Sequence, residues 1–312
     1  MPSSDILLLG HIVTTLSYFG IVVITFFRQK SLQRTTRYST ALFYIIISVG
    51  MIFEIINLIF IAHDIFGHHK PQLMSDLDGI AQYFGIFVLS VLLLVLSTSK
   101  IIIRPKYLAG RVLAIGAHPD DIEVAVGGSI AKMRDAGYTI HEIVMTKGEK
   151  GGDVGARPGE ARSGAEFLGL EGVQVLDFSD TCLAEDVVNI VTILEEAISK
   201  IRPDIIFTHS KNDLHQDHRV VYEATMQATR NVRTTILCYE SPSSTQDFYP
   251  TYFIDVAKYV DVKIRAIREH WDQRKKPYMK SDAIRGKLAF RGSQAKVNYA
   301  EGFEVARMIS AI

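Results

Sequence analysis

The sequence predicts an α/β fold: a Rossmann-like, mostly parallel sheet with helices on both faces, preceded by three transmembrane helices. Three observations carry this. Residues 1–103 hold three long runs almost free of charge. From Arg111 onward, short apolar runs alternate with longer amphipathic ones, the pattern of strands joined by crossover helices. The clusters that combine histidine with aspartate follow strand candidates directly, where open parallel sheets bind their ligands.

The apolar runs come first. Ile6–Phe27 is 22 residues without Lys, Arg, Asp or Glu; Ala41–Ala62 is another 22, broken only by Glu54; Ile80–Ser99 is 20 uncharged residues. At 1.5 Å per residue each reaches roughly 30 Å, the thickness of a bilayer core. The expectation is a membrane anchor over 1–104, with spans over 6–27, 41–62 and 80–103, and a second domain over 105–312.

Orientation follows from the loops. Residues 28–40 carry Arg28, Lys30, Arg34 and Arg37, whereas residues 63–79 carry one Lys and three Asp. Lys100, Arg104, Lys106 and Arg111 follow the third run. Basic loops stay cytoplasmic, so the amino terminus is expected outside and the second domain in the cytoplasm. A cleaved signal peptide fits poorly, because the basic cluster follows the first run instead of preceding it. The tether 104–110 reaches at most about 25 Å, which keeps the second domain close to the membrane.

Charge is uneven within a formal net charge of zero. Residues 111–257 carry 13 Lys+Arg against 23 Asp+Glu, and residues 258–296 carry 12 against 4. The acidic body suits a metal; the basic stretch suits an anionic substrate group or membrane lipids. No nucleic-acid partner is expected. Cys182 and Cys238 form no CxxC pair, so neither a disulfide scaffold nor a thiolate metal site is indicated.

In the second domain, strands are predicted at Val112–Ala117, Ile140–Thr146, Val173–Phe178, Ile205–His209, Thr235–Tyr239 and Tyr252–Val256. Helices are predicted at Gly128–Ala136, Gly159–Leu168, Glu185–Ile201, Gln216–Thr229, Val260–Lys275 and Tyr299–Ile309. Two clusters then fall on one rim of the sheet: Ala117-His118-Pro119-Asp120-Asp121 after the first strand, and His215-Gln216-Asp217-His218 after the fourth. Together they can supply two nitrogens and one oxygen to a catalytic zinc and leave a coordination position open. Two adjacent carboxylates on an irregular turn point in different directions, so one can ligate while the other serves as a base.

The pairing of HPDD with HxDH resembles the PIG-L/LmbE family of zinc-dependent N-acetylglucosamine deacetylases. Further matching elements are Thr146-Lys147-Gly148-Glu149, Arg157-Pro158-Gly159-Glu160-Ala161, Asp177-Phe178-Ser179-Asp180, Arg291-Gly292 and Tyr299-Ala300-Glu301-Gly302-Phe303. The resemblance covers roughly residues 111–310.

It implies that His118, Asp121 and His218 bind one zinc ion, although iron(II) or cobalt would suit the same ligands. It implies Asp120 as general base, His215 as oxyanion stabiliser or as acid to the leaving amine, and Asp217 as the group that orients His215. Arg157 is the candidate for an anionic or sugar-hydroxyl contact, with a surface ion pair as its alternative. His209 is either a substrate contact or a hydrogen-bonded core residue. The chain departs from many members in placing Ile122 between Asp121 and Glu123. The implied activity is removal of acetate from an N-acetylglucosamine-type conjugate, with lipid-linked conjugates among the expected substrates. The alternatives are a catalytically silent, membrane-anchored sugar-binding module, or a metal hydrolase of another amide or ester.

Overall fold

The computed structural model describes residues 109–309 and scattered residues between Ile12 and Ser90. The chain divides into two compact units, residues 1–102 and 103–312. The predicted spans fall largely outside the described residues. Among the described residues, no helix is long and apolar enough to cross a membrane. Those described in the first unit are helical, and several expose large apolar side chains, among them Leu16, Phe19, Ile52 and Phe87.

The described residues of the second unit build a sheet of seven strands in the order β3-β2-β1-β4-β5-β7-β6. They are β1 (Arg111–Gly116), β2 (Thr139–Thr146), β3 (Gly172–Phe178), β4 (Ile205–His209), β5 (Thr235–Tyr239), β6 (Tyr252–Asp255) and β7 (Ala300–Arg307). The first five pair in parallel, and β7 runs antiparallel between β5 and β6. Every residue of β1 after Arg111 is buried, as a strand covered on both faces requires.

The α-helices that join these strands are α1 (Asp121–Asp135), α2 (Arg157–Leu168), α3 (Val187–Ile201), α4 (Gln216–Ala228), α5 (Val260–Arg268) and α6 (Ser281–Ala295). They cover two separate apolar cores. One gathers Val112, Val126, Phe167, Phe207, Ile264 and Leu288; the other gathers Leu113, Ile115, Ile190, Leu194, Ile198 and Val221. Alternate residues of β1 therefore feed opposite cores, as strand geometry dictates. On α3 the i, i+4 spacing of Ile190, Leu194 and Ile198 makes the buried stripe.

Three expectations need correction. Tyr299–Ile309 is not a helix: its main part is β7, whose backbone groups pair with strands on both sides. Ser281–Ala295, which no predicted element covers, is α6, and it buries Ile284, Leu288 and Arg291. The helix expected over Val260–Lys275 stops at Arg268, because the chain turns to bury His270 against Glu123, with Nε2 and Oε2 3.2 Å apart. The sheet is accordingly mixed.

The closing segment also holds α1 in place. Gly128 and Ser129 donate backbone N–H groups to the Glu301 carboxylate at 3.0 and 2.7 Å, and Lys263 Nζ meets the same carboxylate at 2.5 Å. A Cβ on Gly128 would lie 3.0 Å from Glu301 Oε1 and 3.1 Å from Val256 Cβ. Close packing explains this glycine.

Candidate active site

The first cluster sits on the turn between β1 and α1. Asp121 opens α1, and Asp120 precedes it, so the helix N-terminus favours both negative charges. Asp121 Oδ2 accepts from the backbone N–H groups of Ala117 (3.0 Å) and His118 (2.7 Å). That fixes the carboxylate and leaves Oδ1 facing His218 Nε2 at 3.5 Å. The second cluster sits at the start of α4, with His215 as its N-cap. Both turns lie at the carboxyl ends of neighbouring strands β1 and β4, so residues a hundred apart in sequence meet.

The rings of His118 and His218 are held from behind. His118 Nε2 lies 3.1 Å from Asp180 Oδ1, and His218 Nδ1 lies 3.0 Å from Asp213 Oδ2. His118 Nδ1 and His218 Nε2 stand 3.3 Å apart, and with a metal bound the outer nitrogens would donate to the carboxylates while these inner two offered their lone pairs. Ligand atoms about 2.0–2.1 Å from a tetrahedral ion stand roughly 3.3 Å apart. Candidate ligand atoms of His118, Asp121 and His218 lie within 4.8 Å of one another, and all three residues are buried. The donor set therefore fits one divalent cation.

Charge agrees with that fit. Burial alone would lower the pKa of His118, but bonds to Asp121, Asp180 and Asp217 carry it well above the usual imidazole value. Burial likewise opposes the charge on His218, which Asp121 and Asp213 raise to about 9. Burial favours a neutral Asp180, yet His118 draws its carboxyl down to about 2. The excess of buried carboxylate here calls for positive charge.

Asp120 faces a cavity of about 390 Å³. Its Oδ1 accepts from Arg157 Nη2 at 2.9 Å, and its Oδ2 accepts from Tyr278 Oη at 3.4 Å. His215 lines the same cavity half-buried, with its ring centroid 4.7 Å from that of His118. Burial and the neighbouring charges of His118 and His218 lower the pKa of His215. His215 Nδ1 accepts from the Asp217 backbone N–H at 3.3 Å, which leaves Nε2 as the protonated nitrogen of the neutral ring.

The fold gives three of the expected residues particular partners. His209 is fully buried, with Nε2 3.2 Å from Asp121 Oδ2 and its ring stacked on His218 at 3.8 Å; it cannot reach a substrate. Arg157 is also buried, and its ion pair is with Asp120 rather than at the surface. The Asp217 carboxylate accepts from Thr181 N at 2.7 Å and lies 3.5 Å from His118 Nε2, so it is Asp217's backbone, not its side chain, that bonds His215.

Several site residues carry no role in the sequence reading. Asp213 also accepts from Ser241 Oγ at 2.5 Å and Ser243 Oγ at 2.7 Å. It stands two residues before His215, so extending the second motif upstream would have found it. Asp180 closes the run Asp177-Phe178-Ser179-Asp180, which resembles the family. Tyr278 comes from the basic C-terminal stretch, and nothing local marks it.

Comparison with known proteins identifies the family of the second domain. The family model described as PIG-L, GlcNAc-PI de-N-acetylase, matches residues 113–229. An uncharacterized deacetylase of Escherichia coli K12, YaiS, is 38% identical over 166 residues, covering 51% of this chain and 89% of its own. Diacetylchitobiose deacetylase of Thermococcus kodakarensis is 30% identical over 226 residues, covering 62% of this chain and 81% of its own. The conserved protein TT1542 of Thermus thermophilus shares the fold, with a TM-score of 0.58 at 24% identity over 64% of this chain and 96% of its own. The chain belongs to the PIG-L family of deacetylases.

Proposed function

We propose that the protein hydrolyses the acetamide of an N-acetylglucosamine-type sugar conjugate, with zinc held by His118, Asp121 and His218, at the cytoplasmic face of a membrane. The observation that carries this is the convergence of those three side chains beside Asp120 in one cavity. The match to a diacetylchitobiose deacetylase supports the sugar class.

When bound, the ion supplies a Lewis acid that makes water nucleophilic at neutral pH and polarises the amide carbonyl. The remaining work falls to this chain's own groups. Asp120 takes the proton of the attacking water and passes it to the amine nitrogen as the C–N bond breaks, while Arg157 and Tyr278 hold its two oxygens in one orientation. His215, neutral and protonated on Nε2, donates to the carbonyl oxygen as charge develops there. Asp180 and Asp213 keep the two ligand rings in the tautomer that presents a lone pair to the ion.

The membrane location rests on the three apolar runs. Exposed apolar residues at helical positions, such as Leu16 at 66% and Phe19 at 68%, support it. Alkaline carbonate extraction tests it: an integral protein stays with the membrane.

Acetate release from diacetylchitobiose by the full chain tests the reaction. Turnover should require added zinc in the chelated protein and fall about 10²–10⁴-fold in Asp120→Asn. Undiminished turnover in that variant would remove Asp120 as base. No release from any N-acetylglucosamine conjugate, with zinc bound, would favour the silent sugar-binding module. Comparing soluble and lipid-linked conjugates in membranes then identifies the natural acceptor.

A further inference from the structure

At the opposite edge of the sheet from the catalytic turn lies a second cavity of about 490 Å³. Arg111, Arg202, Arg230 and Arg233 line it together with only two carboxylates, Glu195 and Asp204. Arg230 Nη1 reaches Glu195 Oε1 at 2.8 Å, and the Asp204 carboxylate accepts the Arg111 backbone N–H at 2.8 Å. Arg111 Nε donates to the Arg202 carbonyl at 2.9 Å. The side chains of Arg202 and Arg233 have no hydrogen-bond or ion-pair partner among the described residues.

Helix ends explain part of this cluster. Arg202 is the C-cap of α3 and Arg230 follows α4, where cations complement the helix dipole. That accounts neither for Arg233 nor for a cavity with two guanidinium groups to spare.

The place in the chain says more. Arg111 opens β1, and the Ala109 N–H is already tied to the Gly137 carbonyl at 3.2 Å. In sequence, only residues 104–108 separate Ala109 from the third predicted span. That stretch of sequence contains Arg104 and Lys106, with Lys100 just before. Basic clusters of this size beside a span attract anionic lipid headgroups, and guanidinium forks match phosphate oxygens in pairs.

We propose that this arginine-lined cavity binds the phosphate of an anionic phospholipid and docks the N-terminal edge of the sheet on the bilayer surface. The inference rests on the membrane-anchor reading. The headgroup bound there is not the substrate, because β1 separates it from His118 by six residues, about 20 Å.

Native mass spectrometry of the detergent-solubilised full chain tests it, using phosphatidylglycerol, phosphatidylcholine and glycerol 3-phosphate as separate probes. Phosphatidylglycerol should be retained about tenfold better than phosphatidylcholine. The double variant Arg202→Gln/Arg233→Gln should lose that preference while deacetylase turnover in detergent stays unchanged. Equal retention of both lipids, or a preference that survives the substitutions, overturns the proposal. Glycerol 3-phosphate bound as well as the lipid, and lost in the variant, would assign the cavity to a soluble phosphate ester and end the docking role. A chain released by carbonate extraction would defeat the anchor reading itself; one that stays but shows no lipid preference defeats only the docking.

Discussion

Arg157 Nη2 donates to Asp120 Oδ1 at 2.9 Å, and both side chains are buried beside the cavity of the candidate site. The same guanidinium gives Nη1 to the Gly148 carbonyl at 2.5 Å. One planar fork thus ties the proposed base to the loop after β2. Arg157→Lys keeps the charge but loses the fork. Its kcat/KM for acetate release is expected to fall about 10–100-fold with zinc content unchanged. Arg157→Met leaves a buried carboxylate unpaired and should destabilise the fold by about 3 kcal/mol in denaturant titration. Wild-type kinetics in the Lys variant would show that Asp120 needs no such clamp.

Gly148 has a φ of 68°, in the left-handed region. A Cβ there would also collide with the Arg157 guanidinium. Gly148→Ala should therefore cost about 1–2 kcal/mol of stability and lower turnover by displacing Arg157. Circular-dichroism melts with acetate assays would check both. Full activity at lowered stability would separate the loop from the clamp.

Asp180 and Asp213 stand behind the rings of His118 and His218, the proposed zinc ligands. Replacing either by Asn weakens the acceptor that fixes the ring tautomer. Zinc affinity, followed by competition with a chromophoric chelator, is expected to drop about 10–100-fold in Asp180→Asn and Asp213→Asn. Asp177→Asn, at an exposed ion pair with Lys147, is the control and should bind zinc normally. Unchanged affinity in all three would mean that the rings do not depend on their outer bonds.

Burial, and then the positive charge of His218, lower the pKa of His209 to about 4. As pH falls below about 6.5, the unfolded chain binds a proton on His209 that the folded chain refuses until about pH 4. Stability from this residue is therefore complete above about 6.5 and declines on acidification, by up to about 1.4 kcal/mol per pH unit. In the chelated protein, urea midpoints between pH 6.5 and 4.5 should fall more steeply for the wild type than for His209→Gln. Parallel curves would refute a neutral, buried His209.

Burial raises the Cys238 thiol to about 12, so at pH 8 it is protonated and enclosed. Only partly exposed Cys182 should react with iodoacetamide in the folded protein, as peptide mass mapping can read. Labelling of both at equal rates would indicate that β5 opens.

What the residues alone determined is the part governed by local chemistry. The run Val112-Leu113-Ala114-Ile115 is apolar on both faces, which marks a central strand. The HPDD turn that follows carries its two carboxylates side by side whatever surrounds it. The sheet's five parallel strands were legible for the same reason, each being an apolar run bounded by turn residues. What only the tertiary structure decided are the relations between distant residues. Tyr299–Ile309 has a spacing that tolerates a helix, but the open edges of β5 and β6 make most of it a strand. α6 was hidden because Gly286 and Gly292 weaken its helix signal; packing of Ile284 and Leu288 supplies what propensity does not. His209 and Arg157 carry side chains that a sequence reader assigns to substrate. The fold buries His209 out of reach against Asp121 and pairs Arg157, which still lines the cavity, with Asp120, because a carboxylate withdrawn from water requires a donor close by.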